Sequence, residues 1–62
     1  MDASELKRRA ASLVRYRDHA VKRRERAVKN KMVRDIQAID HELLGIKLEL
    51  EEVHKQLLAL WR

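Results

Sequence analysis

The chain has 62 residues, 40% of them charged, a net charge of +5, one Gly, no Pro and no Cys. Below roughly 70–80 residues a single chain seldom buries enough core, and without cysteine both disulfides and thiolate metal sites are excluded, so oligomerisation is the remaining remedy. The bias toward Ala, Glu, Lys, Leu and Arg is that of a long helix, and the expected fold class is all-α: a long, nearly continuous helix forming an oligomeric coiled coil.

Charge divides the chain in two. Residues 1–34 hold twelve Lys/Arg against four Asp/Glu, a balance of +8, and residues 35–62 hold three against six, a balance of −3. This predicts a basic helical arm over 1–34 joined to a heptad coiled-coil segment over 35–62. No apolar run approaches the roughly 20 residues of a membrane span, and the acidic start Met1-Asp2-Ala3-Ser4-Glu5 is unlike a secretory signal. The expected location is intracellular, cytoplasmic or nuclear.

The helix is expected to start at Asp2, which can cap the first turn with Glu5 three residues on, as in a capping box. Three acids of the arm stand four residues before a base, Glu5–Arg9, Asp18–Lys22 and Glu25–Lys29, and Glu51–Lys55 repeats the order later; each pair is worth about 0.2–0.5 kcal/mol. The arm has a thin apolar stripe, Leu6, Ala10, Leu13/Val14, Ala20/Val21 and Ala27/Val28, interrupted by Arg17, Arg24 and Lys31. With no Pro to break it, the expectation is one helix of some 58–60 residues, about 90 Å long at 1.5 Å per residue.

Two places can interrupt that rod. Asn30 can end a helix in the left-handed conformation, which would allow an antiparallel hairpin. Steps of four and four at Val28–Met32–Ile36 resemble a stutter there. Gly45 is the other place, but it falls at position c, outside the seam, and costs about 1 kcal/mol against Ala without breaking the helix.

The most specific feature follows. Ile36, Ile39, Leu43, Ile46, Leu50, Val53, Leu57 and Leu60 recur in steps of three and four, with a at 36, 43, 50 and 57 and d at 39, 46, 53 and 60. One helix cannot bury such a stripe, so these eight residues form the expected oligomer interface. Leu at three of the four a sites and β-branched residues at most d sites favour four strands over two. In a parallel pair Asp35–Asp40 would repel and only Glu42–Lys47 would attract firmly, so charge does not enforce a parallel dimer. Trp61, at e, widens the apolar face. The expected partners are further copies, dimer to tetramer, or a partner helix.

Catalysis has little support. Ser4 and Ser12 have no adjacent base, and no Thr or Cys is present to act as a nucleophile. Glu51 and His54 form a Glu-x-x-His pair of the kind metal bundles use, but Glu51 lies at b, facing solvent. The chain is expected to be no enzyme and to hold no metal or cofactor. The functional signal is the basic run: Arg8, Arg9, Arg15, Arg17, Arg23 and Arg24 are the candidate contacts to phosphate or to an acidic partner. Tyr16 is the only aromatic of the arm, which argues against modes that stack on single strands.

The stretch Arg8-Arg9-Ala10-Ala11-Ser12-Leu13-Val14-Arg15-Tyr16-Arg17, running into heptads, resembles the basic region of a basic-leucine-zipper (bZIP) transcription factor. Its Ala-Ala-Ser cluster is followed by Arg15 where the family's invariant Arg falls, then by Arg17. The resemblance implies that Arg15 grips phosphate while Ala10 and Ala11 face base edges. The chain departs from the family at Lys7, where its base-reading Asn belongs, and at residue 25, Glu in place of the first zipper Leu. The sequence thus predicts a coiled-coil assembly module whose basic arm extends the bundle or docks on an acidic partner, with a bZIP-like DNA-binding segment as the alternative.

Overall fold

A computed structural model describes residues 2–61. It contains two helices, α1 over Ala3–Lys29 and α2 over Val33–Leu60, folded back on each other as an antiparallel hairpin about 47 Å long. The chain is all-α among the described residues, and the single continuous rod expected from the absence of Pro is corrected to two helices. The turn that breaks it is built without Gly or Pro. Lys31 takes a left-handed φ of 56°. Its N–H donates to the Val28 carbonyl at 3.1 Å, and the Met32 N–H reaches back to the Ala27 carbonyl at 2.9 Å. These are the two bonds of a Schellman motif, which satisfies carbonyls that the end of α1 leaves open. Asn30 was the expected left-handed residue; it is instead the C-cap at φ −94°, one position before the reversal.

The expected start is present in part. The Asp2 carboxylate accepts the Glu5 N–H at 2.9 Å, the Asp2 half of the capping box. At α2 no side chain caps the first turn: Met32 occupies the N-cap, and only the acid Asp35 complements the exposed N–H groups there.

Why the chain closes is legible in α1. Leu6, Leu13, Ala20 and Ala27 stand seven apart. In heptad terms they are the d positions of a second, weaker seam, with Ala3, Ala10, Arg17 and Arg24 at a. Leu6 is 1% exposed, Ala20 0% and Ala27 5%. The two alanines near the turn let the helix axes approach, and there Ala20, Ala27 and Ile39 form one cluster flanked by Ile36 and Leu43. Further from the turn, Ile46, Leu50 and Val53 are buried on the α2 side. Part of the heptad stripe of α2 is therefore covered by the chain's own first helix.

Candidate functional site: two edges and an outer ridge

An antiparallel helix pair has two edges, one where the g positions of both helices meet and one where the e positions meet. At the g edge Arg9 faces Glu49 at 3.6 Å and Arg23 donates to Glu42 at 2.9 Å. On the other edge, near the turn, where position a of α1 meets position e of α2, Arg24 Nε donates to Asp40 Oδ1, and its Nη2 lies 3.4 Å from Oδ2, a two-pronged pair. That pairing holds the Asp40 carboxyl below its ordinary value, chiefly through the hydrogen bond from Arg24, against a desolvation effect that raises it. The same bond and the charge of Asp40 raise the Arg24 guanidinium. All three ion pairs cross between the helices and join a base of the first half to an acid of the second. The local pairs expected four residues apart are not the ones formed: Arg9, expected to meet Glu5, reaches Glu49 instead, and Arg17 lies 3.9 Å from its neighbour Asp18.

Beyond the Arg24–Asp40 pair the e edge is largely apolar and open. A groove of about 470 Å³ is lined by Val21, Leu43 and Leu50 with Arg17, Lys47 and His54 at its rim. Toward the free ends a second hollow of about 350 Å³ lies between Lys7, His54, Leu57, Leu58 and Trp61. Val14 and Val28 stand one heptad either side of Val21 on the same edge. Val28 is 48% exposed and Trp61 78%.

The eight seam residues thus separate. Ile39, Ile46, Leu50 and Val53 are buried in the hairpin, Ile36, Leu43 and Leu57 are half-buried, and Leu60 is exposed. The six candidate arginines separate too. Arg9, Arg23 and Arg24 are turned to acids of α2, Arg17 lines the open groove, Arg8 stands on the outer face of α1, and Arg15, one heptad on, also borders a hollow of about 670 Å³ with Tyr16, Arg23 and Glu42. Ala10, which the bZIP resemblance would turn to base edges, is half-buried in the hairpin, whereas Ala11 is exposed.

Four residues outside the candidate sets now acquire a place. Lys22 and Lys29 continue the outer row of Arg8 and Arg15, and Val21 and Val28 line the open edge. The signal for both was in the sequence, a step of seven, but it shows only once α1 is given its own heptad frame.

Among the described residues no group of three or more His, Cys, Asp or Glu side chains comes together as a metal site, and no helix is long and apolar enough to cross a membrane. Glu51 and His54 line the rim of the open groove together with Lys47. No family model matches this chain, and no curated protein or solved structure matches it either.

Proposed function

We propose that this chain is a self-assembly module in which two hairpins pair across their open e edges to make a four-helix unit. The observation that carries this reading is surface left uncovered. The hairpin exposes 5351 Å², whereas a compact monomer of 7.4 kDa is expected to expose about 4,200 Å². The excess, about 1,100 Å², is similar to the roughly 800 Å² that each partner buries in a standard interface. The open edge offers apolar side chains for that role, among them Val21, Leu43, Leu57, Leu58 and Trp61. Leu at a with β-branched residues at d also favours four helices, and two hairpins supply four.

The edge carries bases as well, Lys7, Arg17 and Lys47, which outnumber its one acid at the groove, Glu51. Two such edges repel at low ionic strength, and salt screens that repulsion, so pairing strengthens as salt rises. Sedimentation equilibrium tests the proposal. The expected result is twice the chain mass, with dissociation to a helical monomer in Val21→Lys/Val28→Lys, since both valines are exposed in the hairpin. A wild-type chain that stays monomeric at hundreds of micromolar, or a double variant that still pairs, contradicts it.

A bZIP-like fork would require α1 to leave α2 and the three cross-hairpin ion pairs to break. No feature of the hairpin favours that second reading.

A further inference from the structure

With Arg9, Arg23 and Arg24 turned toward α2, the basic residues of α1 fall into order. Arg8, Arg15, Lys22 and Lys29 occupy successive f positions, all exposed, and none lies within 4 Å of an acid among the described residues. Residues seven apart on a helix are about 10.5 Å apart along the axis, so the row runs about 32 Å on the face opposite α2.

We infer that this row is a docking ridge for the phosphates of duplex nucleic acid, bound without regard to sequence. Four features select that occupant. The row is straight, rigid and evenly spaced, which suits a regularly charged polymer; it spans about nine base pairs at 3.4 Å per pair. The columns beside it hold Ser4, Glu5, Ala11, Ser12, Asp18, His19, Glu25 and Arg26, with no large apolar chain to enter a lipid surface. No aromatic lies in the row, and Tyr16, the one aromatic of α1, borders a hollow with Arg15 and offers a single stacking position, too few for a run of single-stranded bases. The nearest acids of α2, Asp40, Glu42 and Glu49, are already engaged, and the acids of α1 beside the row, Glu5, Asp18 and Glu25, are fewer than the bases of that face, which keeps a net positive charge. The ridge belongs to the folded hairpin, so binding adds no helix. It is also independent of the e edge, and the two are separated by salt: duplex binding weakens as salt rises, whereas hairpin pairing strengthens.

Fluorescence anisotropy with a labelled 20-base-pair DNA duplex tests this on the full chain. Four phosphate contacts predict a slope of log affinity against log salt near −3.6, about a 150-fold loss between 50 and 200 mM salt. Replacing Arg8, Arg15, Lys22 and Lys29 together by Gln is expected to abolish that binding while circular dichroism shows the helices intact. A charge-matched control replaces Lys31, Arg34, Lys47 and Lys55 by Gln and is expected to keep most of the affinity and the slope. Equal loss in the control would assign binding to net charge alone and overturn the ridge. Retained binding in the row variant would overturn it as well. Tighter binding to phosphatidylserine vesicles, or to a single strand of equal length, than to the duplex at the same salt would overturn the choice of occupant.

Discussion

The two edges of the hairpin are built from the same two heptad repeats, yet one is lined mainly by ion pairs and the other mainly by apolar side chains. At the g edge bases of α1 meet acids of α2, Arg9 with Glu49 and Arg23 with Glu42. At the e edge valines of α1 meet leucines of α2, and among the described residues one ion pair, Arg24 with Asp40, spans the helices there, close to the turn. The difference teaches how charge and apolar surface divide the work. Exposed ion pairs contribute little stability each, but they penalise wrong registers and orient the helices. Apolar surface left at the other edge retains the capacity to bind something further. A basic first half and an acidic second half are, on this view, partners of one another before they are partners of anything else.

Closest approach of the helices should be the most sensitive point of that arrangement. Ala20 is wholly buried between the edges. Ala20→Leu forces extra methylenes into the contact and is expected to destabilise the hairpin by about 1–3 kcal/mol, read by urea unfolding. Loss of no stability would mean that the alanines do not set the helix separation.

The turn that makes two edges out of one rod comes next. Lys31 holds a left-handed φ that L-residues adopt at a cost of about 1–2 kcal/mol. Lys31→Gly removes that strain but loosens the unfolded chain, for a net gain of about 0.5–1 kcal/mol. If α1 and α2 were instead one helix through residue 31, the same change would destabilise by about 1 kcal/mol, because Gly is a poor helix former. The sign of the effect therefore separates the two arrangements.

The smallest effect lies at the Arg24–Asp40 pair. The Asp40 carboxyl binds its proton more weakly in the hairpin than in the unfolded chain, through its bond to Arg24. Its contribution is then complete above the ordinary carboxylate value of about 3.9 and is lost as pH falls through the lower folded value. Thermal melts from pH 6 to pH 2 should show that loss in the native chain and a shallower one in Asp40→Asn.

Much of this was legible from residue order. The seam from Ile36 to Leu60, the cap at Asp2 and the charge division were all readable, because each rests on local spacing. The reversal was not, since its left-handed position is Lys31 and no Gly or Pro marks it. Asn30 pointed to the right place, one residue early. The open edge was hidden for another reason. Val14, Val21 and Val28 read as part of one thin stripe with Leu13, Ala20 and Ala27 until α1 has its own frame, after which the two columns lie on different faces. The candidate arginines shared a residue type but not a direction, and direction is set by the hairpin.

The folding of α1 back on α2 is read from one intramolecular distance. Spin labels at Ser4→Cys and Ala59→Cys, diluted with unlabelled chain to suppress distances between copies, report the separation of the two ends. The hairpin predicts a separation of about 10–20 Å, set by packed helix axes 8–10 Å apart plus the label arms. A separation of about 80 Å, the length of 55 residues of uninterrupted helix, would contradict it.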